Sequence, residues 1–166
     1  MTRYYYAGGR RIELEADDEF VAVDEKDADA AGVRVDAGEP AKRLPGGIIL
    51  SPRARLNEAD LERLSGAGAL RPVYRRDRTV LVALPEIRVE FDSATQRAAV
   101  KAALPTAPFA VEVSDEHADG LVLRPASGRD VDTLAIANYI YEQARPAAAS
   151  VRFVQVVPKP GVRGET

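Results

Sequence analysis

Apolar residues fall along this chain in short runs and stripes whose spacing changes from two to about four. Tyr4-Tyr5-Tyr6 has strong strand preference, Gly8-Gly9 can supply the positive φ angles of a tight turn, and Ile12 and Leu14 alternate with charged neighbours. Together they predict a hairpin over residues 4–15. Phe20-Val21-Ala22-Val23 is a continuous apolar run suited to a buried strand. Residues 24–31 are acidic and alanine-rich, enough for a brief helix or a loop. Val33 and Val35 alternate again, and Gly46-Gly47 precede a second buried run at Ile48-Ile49-Leu50. Asn57 is a good N-cap for the first full helix, with Asp60 at N3, Leu56 and Leu61 at the two ends of a hydrophobic staple, and Gly66 and Gly68 as its stop. Residues 70–75 read as extended, and Pro72 favours a sheet edge there.

The order then repeats. Residues 80–84 and 87–91 read as strands with a bend or bulge at Pro85, and Ser93 with Gln96 forms a capping box before the stripe Val100, Ala103, Leu104. Residues 109–113 and 121–123 make a hairpin pair across the polar run 114–120. Asp130 is expected to open the longest helix, where Val131, Leu134, Ala137, Tyr141 and Ala144 recur at helical spacing until Pro146. Residues 151–157 form a last strand, with Phe153 its bulkiest side chain. The expected class is α+β: tandem ferredoxin-like (split βαβ) units, antiparallel sheets with helices on one face, plus an N-terminal β-hairpin. The expected division is 1–78 for the hairpin and a first, degenerate unit, 79–157 for the second unit, and 158–166 for an extended tail.

Composition narrows the functions. The 166 residues are 46% hydrophobic and 30% charged, with a formal net charge of −3, which excludes a disordered chain. No apolar run approaches the roughly 18 residues of a membrane span. The start lacks the apolar core of a secretory signal, so the expectation is a soluble, cytoplasmic protein without a membrane partner. With no cysteine there are no disulfides, thiolate metal sites or cysteine nucleophiles. His117 is the only histidine, too few for a mononuclear zinc site, and its polar surroundings read as a hairpin loop. No metal or other cofactor is expected. Arg71, Arg75, Arg76 and Arg78 cluster around Tyr74, yet the near-neutral balance argues for a solvated sheet edge or turn over a nucleic-acid interface. The acidic run Glu13, Glu15, Asp17, Asp18, Glu19 reads as a solvated loop, because no second acidic cluster is spaced to converge on it.

The order Tyr-Tyr-Tyr-x-Gly-Gly, Phe-Val-Ala-Val, Pro72-Val73-Tyr74, Ile87-Arg88-Val89-Glu90-Phe91, Asn138 and Arg152-Phe153-Val154-Gln155 resembles the N-terminal region of bacterial subtilisin-like serine proteases, where two prodomain-like units precede the catalytic domain. The Asp-Thr-Gly, His-Gly-Thr and Gly-Thr-Ser-Met motifs of the protease itself do not occur. The resemblance implies a freestanding, non-catalytic binding module that inhibits a subtilisin-like protease or helps it fold. It implies a sheet face laid on the enzyme and a C-terminal segment extended into the substrate cleft by strand addition. The candidate protein-binding residues are Tyr5, Tyr139, Phe153, Gln155, Val157, Pro158 and Pro160. Tyrosine gives rigid contact area, Tyr139 lies off the helix stripe that holds Tyr141, and prolines keep the tail extended. The alternative is an assembly or adaptor protein that self-associates, or binds another protein, through an open sheet face or edge with no protease involved.

Overall fold

The computed structural model describes residues 3–126 and 132–157. The leading hairpin forms as expected, from β1 (Tyr4–Ala7) and β2 (Arg10–Glu13), with Tyr4 opposite Glu13 and Ala7 opposite Arg10. Gly8 and Gly9 both take positive φ, as this two-residue turn demands. A short β3 (Glu15–Ala16) follows. The first unit then runs β4 (Phe20–Asp24), α1 (Glu25–Ala30), β5 (Lys42–Leu44), β6 (Ile48–Pro52), α2 (Glu58–Gly66) and β7 (Leu70–Arg71). After β8 (Val73–Arg76), the second runs β9 (Thr79–Glu90), α3 (Ala94–Ala103), β10 (Val111–His117), β11 (Gly120–Pro125), α4 (Thr133–Ala144) and β12 (Ala148–Val156).

The fold is mixed α+β with antiparallel sheets. The first sheet has the order β5-β6-β4-β7. In the second, β9 lies between β11 and β12, with β10 outside β11. Both halves therefore read strand, helix, strand, strand, helix, strand, with the first strand central. At Pro72 the chain leaves the first sheet, and β8 joins the second beside the N-terminal half of β9.

Capping explains why the short helices of the first unit form. The Asp24 side chain accepts from the Asp27 N–H at 3.1 Å and Asn57 from the Asp60 N–H at 2.7 Å. Both helices end alike. Gly32 and Gly68, at φ +75° and +69°, let Val33 and Ala69 donate back to the Ala28 and Leu64 carbonyls, and all four side chains meet in one apolar cluster with Val21 and Val23. Hence Val33 is not part of a strand. It is the apolar plug that closes α1, and the strand expected at residues 33–35 occurs at Lys42–Leu44 instead.

Three other expectations are corrected. Residues 79–90 form one strand instead of two, but the bulge expected at Pro85 is present: Leu84, Pro85 and Glu86 of β9 stand opposite Arg152 alone in β12. β8 flanks β9 only over residues 79–82 and β11 only over 87–90, so Pro85 sits in the gap between them, where no partner needs its missing N–H. The polar run 114–120 is mostly strand: β10 extends to His117 through a bulge at Ser114, leaving Ala118 and Asp119 as the turn. The longest helix begins at Thr133, with Asp132 accepting from the Ala135 N–H, while Asp130 and Val131 lie outside the described residues.

The apolar interior has three parts. One lies between the first sheet and its two helices, around Val21, Val23 and Leu64. Another lies under α3, α4 and the hairpin, around Ile87, Leu123, Leu134 and Ile140. The third joins the two sheets: Ala22, Ile48 and Leu50 of the first pack against Val80 and Val82 of β9, with Val154 and Val156 of β12 alongside.

Candidate functional site

Successive strand residues point to opposite faces, so β9 shows what becomes of each face of the second sheet. Its odd positions Leu81, Ala83, Ile87 and Val89 all enter the core under the helices. Its even positions divide. Val80, Val82 and Leu84 are covered by the first sheet, but Glu86, Arg88 and Glu90 lie beyond its reach. Cross-strand partners share a face, so the register adds Val122, Arg124, Glu112, Asp115 and Ser150 to this same outer surface. Arg152 is the single β12 residue opposite the bulge in β9, between the pairs Val151–Ile87 and Phe153–Ala83.

At the centre of this surface Glu86 holds three guanidiniums. Arg124 Nη2 donates to Oε1 at 3.1 Å, Arg88 Nε donates to Oε2 at 3.3 Å, and Arg152 Nη1 lies 3.6 Å from Oε2. The Glu86 side chain is only 9% exposed, while each arginine keeps more than half of its side chain in solvent. The carboxylate is thus an anchor that spreads three cations across an open face, with most of their N–H donors unspent.

The candidate residues named from the sequence are dispersed around this unit. Tyr5 turns inward: its ring meets Phe153 edge-on at 5.5 Å, and both pack against the second core. Its neighbours face outward, in a chain of contacts that runs Arg11, Tyr4, Tyr6, Tyr141, Arg145, with Tyr4 edge-on to Tyr6 and Tyr6 stacked on Tyr141 at 4.6 Å. The Tyr6 hydroxyl donates to Glu142 at 2.6 Å, and that carboxylate raises the phenol's pKa. Asn138 donates to the Tyr4 carbonyl, which ties the hairpin to α4. Tyr139 is half-buried beside Phe109 and exchanges hydrogen bonds with Thr106. Gln155 is exposed near the end of β12 and Val157 just beyond it. Pro158 and Pro160 lie outside the described residues. Of the described members, Tyr5 and Phe153 are brought together and Tyr139, Gln155 and Val157 do not join them.

Glu86, Arg88, Arg124 and Arg152 were missed from the sequence. A signal was present in β9: one face changes from Val80, Val82, Leu84 to Glu86, Arg88, Glu90 without a break in the strand. Only the register of β11 and the bulge of β9 opposite β12 bring Arg124 and Arg152 to it.

The basic cluster near Tyr74 has another fate. Arg71 binds Asp24 and Asp27, each at 3.2 Å, and Arg75 donates to the buried Asp17 at 2.6 Å. Asp17 also accepts from the Glu19 and Phe20 N–H groups, so the acidic run serves a turn here. Tyr74 is buried, its hydroxyl has no hydrogen-bond partner among the described residues, and burial with the Asp132 charge pushes its pKa well above the usual tyrosine value. A cleft of about 670 Å³ opens at the seam of the two units, lined by Phe20, Leu70, Pro72, Val73, Pro85 and Pro125. Its size suits a small molecule, but two of its charges, Asp17 and Arg71, are held by internal partners. Among the described residues no group of three or more histidine, aspartate or glutamate side chains is placed to hold a metal ion. No described helix is long and apolar enough to cross a membrane.

Comparison with protein-family models, curated proteins and solved structures finds no match to this chain.

Proposed function

We propose that this chain is a non-catalytic protein-binding module whose partner is a subtilisin-like serine protease, which it inhibits or helps to fold. One observation carries the reading. Both faces of the first sheet are packed against protein, and one face of the second is packed, which leaves the outer face of β9, β11 and the start of β12 open. Beyond Arg152 this face of β12 is covered by the first sheet at Val154 and Val156, and the strand runs on to the exposed Val157, where the tail that would enter a cleft begins. The sheet-face and tail arrangement is the one implied by the likeness to protease prodomains.

Self-association through a strand edge is the second reading. The outer edge of β12, nine residues long and paired among the described residues with β9 alone, would serve it, while the other edges speak against it. The outer edge strand β10 is broken by a bulge and carries Glu112, Asp115 and Glu116, while β3, β5 and β7 span only two or three residues each. Short, charged and bulged edges discourage pairing between molecules. The test is to titrate the purified chain into a subtilisin-like catalytic domain from the same genome, following peptide hydrolysis and recovery from denaturant. Saturable inhibition or faster refolding is expected. No effect on either, with the chain folded, would overturn the reading.

A further inference from the structure

We propose that the arginine triad Arg88, Arg124 and Arg152 is the recognition element of this open face, and that it takes carboxylate side chains of an acidic patch on the partner protein. The inference rests on the proposed protein-binding role and specifies the partner's chemistry. Each guanidinium has five donors in a planar fork, and Glu86 can satisfy only a few of the donors around it. A partner carboxylate would complete the two-pronged geometry that arginine is built to offer. Because Glu86 already orients the three side chains, little rotamer freedom remains to be lost on binding.

The rest of the face sets the partner's orientation. Across one row the sheet presents Glu112, Arg124, Glu86 and Arg152, and in the next Asp115, Val122, Arg88 and Ser150. Asp115 also lies 3.2 Å from His117. Positive charge is therefore centred over β9, β11 and Arg152 of β12, and negative charge over the β10 side, with Glu90 at the far end of β9. A complementary partner carries carboxylates over the triad and cations toward β10. Such a mosaic fits a folded protein surface. A nucleic-acid backbone, negative along its whole length, would meet Glu90, Glu112 and Asp115 as well as the arginines.

The arginine Nε–Hε signals of the folded chain report the site directly. Hexaglutamate is expected to shift those of Arg88, Arg124 and Arg152 in a saturable, salt-sensitive way, while hexalysine leaves them in place. In the protease assay, Arg124→Gln or Arg152→Gln is expected to weaken inhibition by roughly tenfold to a hundredfold, as for loss of a charge-assisted interface bond. Lys26→Gln, on α1, should change nothing. Equal shifts at arginines over the whole surface, stronger shifts with a dodecathymidylate strand than with hexaglutamate, or inhibition indifferent to both substitutions would overturn the proposal. A chain that leaves the protease untouched would sink the protease reading, and the hexaglutamate titration would still decide the triad.

Discussion

The two units follow the same order of elements but spend their surfaces differently. In the first, Val21 and Val23 face the helices while Ala22, Ile48 and Leu50 face the other sheet, so the unit is buried on both sides of its strands. In the second, the same strand β9 is apolar on both faces over residues 80–84 and on one face only over residues 87–90. The boundary falls at Pro85 and Glu86, where the cover of the first sheet ends. A repeated topology thus yields a support and a presenting surface. Which copy does which is decided by the even positions of one strand.

Substitutions on the two kinds of face should separate most sharply. Leu50→Ala, in the contact between the sheets, is expected to cost about 2–5 kcal/mol. Arg124→Gln on the open face should cost under about 1 kcal/mol, because exposed ion pairs contribute little. Urea unfolding of both variants checks the contrast, and similar losses would erase the distinction between the faces. Gly120→Ala comes next. A Cβ there would lie 2.7 Å from the Val89 carbonyl oxygen, so the β9–β11 pairing that builds the open face must shift. The expected loss is about 1–3 kcal/mol by thermal or urea unfolding.

Smaller effects sharpen the account of the support. Removing the cap of α1 or α2 by Asp24→Ala or Asn57→Ala should cost about 1 kcal/mol each. Calorimetry should show the first unit and the second melting together, since the shared apolar layer couples them. The smallest effect at neutral pH belongs to Tyr74→Phe, which removes a buried hydroxyl without a partner and should be neutral or stabilising by up to about 1 kcal/mol. Tyr74 has its pKa raised in the folded state, so the stability it contributes is complete below the unfolded tyrosine value of about 10 and falls as pH rises beyond that. The wild-type chain should therefore lose stability in alkali that Tyr74→Phe retains, and parallel alkaline unfolding curves would contradict this.

How far each of these features can be read in advance depends on the range of the interaction that makes it. Caps and turns are local chemistry, so Asn57, Ser93 and the Gly8-Gly9 turn stand where their residue types place them. Val33 misleads because a C-terminal plug and a strand residue look alike until the helix before it is known. Pro85 stands at a bulge as its chemistry requires, but the merging of residues 79–90 into one strand is hidden because the partners bordering the gap, Val73 and Leu123, come from distant parts of the chain. The inward turn of Tyr5 depends on Phe153, at the opposite end of the described chain. The arginine triad is the extreme case: each arginine is ordinary in its own strand, and only sheet order and a bulge gather the three around Glu86.

The most direct test of the central claim is cross-saturation NMR of the labelled chain bound to a subtilisin-like catalytic domain. The account predicts saturation transfer at residues 86–90, 122–124 and 150–157, with the first unit silent. Transfer confined to the first unit, or to the tyrosine hairpin and α4, would contradict it.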